Sequence, residues 1–337
     1  MKAIVFDEHG SIDVLKYRDI EEQDLLPGQV RVAVRSCSLN YHDVFTRQGM
    51  PGIKVPLPGI PGCDCAGLVS EVADDVIGWS VGDRVLVDPV RYENGKLWMI
   101  GDTLWGAYAE YVAVSAEQLI PLPEDVSFAD ASCLPVAYGT AHRMMLTRGS
   151  VNAGDSVLIL GASGGVGTSA LLLAKMRGAS VIAAAGSDEK CEQLMSLGAD
   201  ETINYTTTDF VKYCREKTGS LFSGGGYDVV VNFTGGDTWA RSLKCVKLGG
   251  QVLTCGATAG FDPPTDLRFI WTAEMDIRGS NGWQRSDLDQ LLELTRTGEF
   301  SPVIDSEVPL HDGVAAHQAL EERKFFGKIV INADAPI

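Results

Sequence analysis

Residues 156–167, Ser-Val-Leu-Ile-Leu-Gly-Ala-Ser-Gly-Gly-Val-Gly, limit what this chain can become more than any other stretch. Val157 to Leu160 is a short β-rich apolar run that drops into a glycine cluster, and an apolar segment of helical period follows from Ala170 through Met176. Strand, tight turn and helix in that order form the setting in which such glycines read as a phosphate-binding turn. Small residues admit backbone amides close to a pyrophosphate, and the helix N-terminus sets its partial positive charge against it. Ala162 replaces the first glycine of G-x-G-x-x-G, while Gly164 and Gly167 keep the second and third. Ala162, Ser163, Gly164, Gly165 and Val166 are the expected cradle of a dinucleotide.

The units downstream repeat the theme. Val181–Ala185 is a second buried-strand run, and further strands are predicted at Glu201–Asn204, Tyr227–Val231, Gln251–Cys255 and Asp276–Gly279, with helices between them. Apolar strands alternating with helices predict a doubly wound parallel sheet covered on both faces.

The tip of the second strand bears on which nicotinamide is bound. An NAD site usually places Asp or Glu there, about 20 residues past the glycines, for the ribose 2′-hydroxyl. Here the strand ends Ala184-Ala185-Gly186-Ser187, Lys190 follows, and Tyr205 closes the next strand. A hydroxyl, a cation and a phenol suit a 2′-phosphate that an acid would repel. Asp188 and Glu189 argue the other way, although first-turn carboxylates often point to solvent and favour the helix dipole. Gly186, Ser187, Lys190 and Tyr205 are the expected contacts, and NADPH the expected cofactor.

A net charge of −17 argues against nucleic acid and anionic membrane as partners, since both need a basic footprint. No apolar run reaches the roughly 18–20 residues of a membrane span. Met1-Lys2-Ala3-Ile4-Val5-Phe6 reads as a β-strand, without the h-region of a signal peptide. Eight scattered cysteines lack the density of a disulfide scaffold, so they read as reduced thiols of a cytoplasmic protein.

The first 125 residues or so have a different texture. Residues 29–36 alternate apolar and polar like a half-buried antiparallel strand, and residues 41–48 look like a short helix. A loop punctuated by Pro51, Gly52, Pro56, Pro58, Gly59, Pro61 and Gly62 comes next, followed by strands at Cys63–Val72, Asp83–Val87 and Ala107–Val114. Residues 88–106 read as irregular, and Ser127 to Arg148 as mostly helix. A helix at 287–297, an extended run at 303–308, a helix at 313–322 and a strand at 327–331 close the chain. The simplest layout is a β-rich domain from 1–125 and 285–337, with a nucleotide-binding domain inserted at 126–284. The active cleft is expected between the two, past the carboxyl ends of the parallel strands.

Several motifs stand in order: Asn40-Tyr41-His42-Asp43 through Gly49, Pro58 through Asp64, Val81-Gly82-Asp83-Arg84-Val85, Leu134-Pro135 through Thr140-Ala141, and the glycine turn. Over essentially its full length the chain resembles the medium-chain dehydrogenase/reductase superfamily, and its glycine turn resembles the quinone oxidoreductase branch. The resemblance implies a Rossmann domain joined to a GroES-like catalytic domain. It also implies cofactor contacts at Gly256, Ala257, Ser280, Asn281 and Lys328, and subunit pairing near Trp271–Trp283 in a homodimer or homotetramer.

By motif matching, Asn40, Cys63 and Val136 stand where zinc relatives carry Cys, His and Cys, and Asp64 replaces a nearby Glu. One thiol and one carboxylate fall short of the three protein ligands of a catalytic zinc. Residues 86–116 contain no cysteine, so the structural zinc lobe is missing too. The chain is expected to be zinc-independent. Without a Lewis acid, the accessible acceptors are quinones and α,β-unsaturated carbonyls, where hydride adds to a conjugated carbon and charge delocalises onto oxygen. Asn40, Tyr41 and Thr140 are the expected contacts to that oxygen, with Asp64 as orienter. Tyr41, His42 or water delivers the proton, and His42 reads equally well as a solvated helix residue. Two alternatives remain at this point: an alcohol dehydrogenase or carbonyl reductase with an atypical metal site at Cys63 and Asp64, and a non-catalytic NADPH-binding protein.

Overall fold

The computed structural model describes residues 1–50 and 52–337, so Pro51 of the proline-punctuated loop lies outside the described residues. The chain divides into two compact units, Met1–Val136 with Leu288–Ile337, and Ala137–Asp287.

In the first unit the period-two segment forms the strand Gln29–Ser38, with Val30, Val32 and Val34 buried while Arg31 and Arg35 are half-buried. Its sheet runs in the order Ile304–Pro309, Lys328–Asn332, Gln29–Ser38, Asp64–Val72, Arg84–Val87, Leu119–Pro121, and Tyr111–Ser115 also pairs with Gln29–Ser38. Both neighbours of Gln29–Ser38 in that order are antiparallel to it, with Val330 opposite Ser38 and Asp64 opposite Ser38 from the other side. This register gathers Lys328, Asp64 and the residues just past Ser38 at one end of three adjacent strands. The helix Phe128–Cys133 packs over the same strands, which is why the compact unit runs past the proline pair to Val136.

Residues 88–106 are more ordered than expected. Val90–Glu93 and Lys96–Met99 form a hairpin around Asn94 (φ 51°) and Gly95 (φ 74°). Both turn residues adopt positive φ, the Asn-Gly signature of a two-residue hairpin loop. The segment then folds back on the loop around Gly62. A Cβ on Gly101 would lie 2.6 Å from the Gly62 carbonyl carbon, and one on Gly106 2.4 Å from the Pro61 oxygen.

The helix expected from Ser127 to Arg148 is α-helical only at Phe128–Cys133 and Thr140–His142, with wider π-type turns at Leu134–Gly139 and Arg143–Arg148. Pro135 lacks the amide an α-turn needs and crowds the carbonyl four residues back, so the first wide turn falls there.

The second unit is a six-stranded parallel sheet in the order Glu201–Asn204, Ser180–Ala185, Ser156–Leu160, Tyr227–Asn232, Val246–Thr254, Asp276–Gly279. That is the dinucleotide-binding order with the glycine-turn strand at the reversal of direction. Successive residues of Ser156–Leu160 point to opposite faces, yet Val157, Leu158, Ile159 and Leu160 are all buried, as a sheet covered on both sides requires.

Candidate active site

Asn40 precedes the helix Tyr41–Gln48 with extended backbone (φ −131°, ψ 150°). The carboxylate of Asp43 accepts the Asn40 N–H at 2.8 Å and closes the helix start, so the Asn40 amide is left for other partners. Its Nδ2 donates to Oδ2 of Asp64 at 2.8 Å, and its Oδ1 accepts from Nζ of Lys328 at 2.7 Å. The ammonium also donates to the Leu39 carbonyl at 2.7 Å and stands 3.7 Å from Asp64. Asp64 accepts the Val136 amide at 3.0 Å through its other oxygen, and the Ser38 hydroxyl lies 3.1 Å from Oδ2. Asn40, Asp64 and Lys328 are all buried. Burial raises the Asp64 carboxyl to about 6, against the pull of the Lys328 charge and of hydrogen bonds from Asn40 and Val136, while the nearby Asp43 charge adds to the rise.

A second buried group lies behind this one. Asp43 accepts the Tyr108 hydroxyl at 2.9 Å and the Cys63 thiol at 3.3 Å. Burial, reinforced by Asp43 and Asp64, holds the Cys63 thiol well above its ordinary range, so it remains protonated. On the same helix His42 Nε2 meets Asp102 Oδ2 at 3.1 Å. Burial opposes protonation of His42, but the Asp102 bond and the charges of Asp43, Asp102 and Asp64 outweigh it and raise its pKa. Tyr41 is half-buried with its ring edge-on to Phe45, centroids 5.2 Å apart.

This donor set does not fit a catalytic zinc. Asn40 offers an amide, Val136 only its backbone, Cys63 a protonated thiol engaged by Asp43, and Asp64 is already bonded to internal donors. The Lys328 ammonium is bonded to Asn40 and stands 3.7 Å from Asp64, so the carboxylate already faces a cation. Among the described residues no group of three or more His, Cys, Asp or Glu is placed to hold a metal.

The second unit carries the other expected residues. Gly164 starts the helix Gly165–Met176, whose first amides point out of its N-terminus. A Cβ on Gly167 would lie 2.5 Å from Ala162 Cα, so only glycine lets helix and turn approach this closely. Ser187 caps the helix Asp188–Ser196 by accepting the Lys190 amide at 3.2 Å, and Asp188 accepts Asn204 Nδ2 at 2.7 Å. The Tyr205 hydroxyl sits over Gly186, 2.8 Å from where a Cβ would be. Ser280 follows the last strand with its hydroxyl buried and, among the described residues, without a hydrogen-bond partner, while Asn281 is exposed. A glycine turn, an open helix N-terminus and an orphaned hydroxyl at a strand end together fit a nicotinamide dinucleotide. Gly256 and Ala257 follow Val246–Thr254. Thr140 is buried in this unit, and His142 pairs with Asp287 at 2.8 Å in its interior.

Lys328, expected beside the cofactor, is placed by the structure in the Asn40–Asp64 cluster. Sequence reasoning missed Ser38, Tyr108 and Asp102. The signal for Asp102 was the pair Gly101 and Gly106, whose bare backbones let residues 100–106 fold onto the loop that carries Cys63.

The alcohol dehydrogenase GroES-like domain model matches residues 26–124, and the zinc-binding dehydrogenase model matches residues 165–297. An NADPH-dependent alkenal/one oxidoreductase from Arabidopsis thaliana chloroplasts is 34% identical, covering 98% of this chain and 79% of its own. A mouse quinone oxidoreductase is 29% identical over 94% of this chain and 93% of its own. The crystal structure of an NAD-dependent alcohol dehydrogenase superposes with a TM-score of 0.90 at 34% identity, covering 99% of this chain and 100% of that one. The chain belongs to the medium-chain dehydrogenase/reductase family, on its quinone oxidoreductase-like branch, and is an oxidoreductase that uses a nicotinamide cofactor. No helix among the described residues is long and apolar enough to cross a membrane.

Proposed function

We propose that this enzyme uses NADPH, without zinc, to reduce quinones or α,β-unsaturated carbonyl compounds. The observation that supports the reading is the closed Asn40–Asp64–Lys328 cluster, which holds an oriented amide in place of a metal-ligand set. NADPH when bound supplies the hydride, which adds to the conjugated carbon. The C=C electron pair moves toward the carbonyl, and charge grows on its oxygen. A hydrogen bond from Asn40 to that oxygen strengthens as the charge develops, which is how a fixed donor lowers a barrier. Tyr41, the residue after Asn40, is the second candidate contact to that oxygen. A proton from His42, Tyr41 or water then reaches the adjacent carbon.

The preference for NADPH rests on the second strand tip. Asp188 is turned to Asn204, the Ser187 hydroxyl caps the helix that begins there, and the Tyr205 phenol sits over Gly186. Relatives named for alkenal/one and quinone substrates point to the same acceptor class. We place the enzyme as a homodimer or homotetramer, because Asp276–Gly279 ends its sheet with Trp271 and Leu267 exposed nearby.

The test is product identity from a 2-alkenal incubated with NADPH. A saturated aldehyde supports the proposal. An allylic alcohol means carbonyl reduction and overturns it in favour of the chemistry of the solved alcohol dehydrogenase relative.

A further inference from the structure

Amide orientation is the weak point of any site built on asparagine. Oxygen and nitrogen of the side chain have nearly the same shape, and a flip exchanges a donor for an acceptor. Here the partners differ in kind. Lys328 has an ammonium, which only donates, and Asp64 when ionised only accepts. One orientation satisfies both, with Oδ1 toward Lys328 and Nδ2 toward Asp64, at 2.7 and 2.8 Å. The flipped amide would set NH₂ against NH₃⁺ and carbonyl against carboxylate in a buried site, where such contacts are most costly. Nδ2 carries two hydrogens. The first is held by Asp64, and the second has only a long 3.4 Å approach to the Ser38 carbonyl.

We propose that Lys328 is a positioning residue for the reduction. Together with Asp64 it locks the Asn40 amide in a single orientation and leaves one Nδ2–H as the donor to the substrate oxygen. The ammonium thus does for geometry what a bound metal would do for charge: it fixes the electrophilic group without touching the substrate. Two of its three donors are taken by Leu39 and Asn40 and the charge also faces Asp64 at 3.7 Å, which argues against a contact to the cofactor. The inference rests on the proposed reduction of conjugated acceptors, with Asn40 at the reacting oxygen.

Lys328→Met keeps the length of the side chain and removes the charge and its donors. The expected result is a fall in kcat on a conjugated acceptor of about 10²-fold, the scale of losing one oxyanion donor, with NADPH affinity by fluorescence titration within about twofold of the parent. A loss of NADPH affinity with kcat retained would show a cofactor contact and overturn the proposal, as would unchanged kcat. A second readout needs no turnover. In protein labelled with ¹⁵N-asparagine, the Asn40 side-chain amide should give two distinct proton signals, one of them protected. Rotation about Cβ–Cγ leaves those two protons distinct but changes what each one faces, so in Lys328→Met their shifts should move toward those of a solvated asparagine and the protection should be lost, and a parent-like pair in the variant would defeat the assignment. If the parent enzyme reduces no conjugated acceptor yet the amide is locked only with Lys328 present, the functional reading fails while the lock stands.

Discussion

Nζ of Lys328 lies 2.7 Å from Oδ1 of Asn40, although the two residues are 288 positions apart in the chain. The sheet register makes this possible, since Lys328 opens a strand whose neighbour ends at Ser38. Asn40→Ala should therefore cost activity far more than assembly of the site. With the amide gone, Lys328 and Asp64 still face each other at 3.7 Å. The expected outcome is a drop in kcat of roughly 10²-fold with NADPH affinity unchanged, measured by steady-state kinetics and cofactor titration.

Asp64 gives the enzyme a pH dependence of definite sign. Its carboxyl, raised to about 6 by burial, binds a proton more readily in the folded chain than in the unfolded one, where it titrates near 3.8. The folded state therefore loses stability as pH rises from about 4 to 6, by on the order of 3 kcal/mol. Over the same range the ionised carboxylate that holds the Asn40 amide appears, so activity rises as stability falls. Chemical denaturation at several pH values should show this slope in the parent and its loss in Asp64→Asn.

His42 behaves in the opposite sense. Asp102, Asp43 and Asp64 raise its pKa despite burial, so its ion pair contributes stability below the unfolded value and loses it as pH climbs through the folded one. Asp102→Asn should lower the His42 pKa, read from its ring proton shifts in an NMR titration. No change would mean that Asp102 is not the partner that holds the imidazolium.

Cofactor preference can be tested without breaking the helix it sits on. Ser187 caps Asp188–Ser196, and aspartate caps a helix as well as serine does. Ser187→Asp should thus keep the fold while placing a carboxylate at the strand tip. The ratio of kcat/KM for NADPH over NADH is expected to fall by about tenfold or more. An unchanged ratio would show that the 2′-phosphate is bound elsewhere.

Gly167→Val should destroy cofactor binding. Even a Cβ there meets Ala162 Cα at 2.5 Å, and the helix must move away from the turn to admit it. Loss of NADPH affinity together with a stability loss of about 1–3 kcal/mol is expected, by titration and thermal unfolding.

The glycine turn, the alternating strand at 29–36 and the parallel-strand units were legible because they depend on local chemistry. Periodicity of 2 or 3.6 and the need for small residues beside a phosphate act within a few positions. The Asn94-Gly95 hairpin was legible on the same grounds and was overlooked. Asn40 and Asp64 were also singled out as chemistry, because of their motifs and the residues they replace. What those residues do was decided by the tertiary structure. The register of three strands brings Lys328 to Asn40, close glycine backbones bring Asp102 to His42, and Tyr108 reaches Asp43 across 65 positions. Burial then makes these pairings obligatory. A carboxylate, an ammonium and an amide removed from water must satisfy one another, and only the folded sheet chooses which partners are within reach.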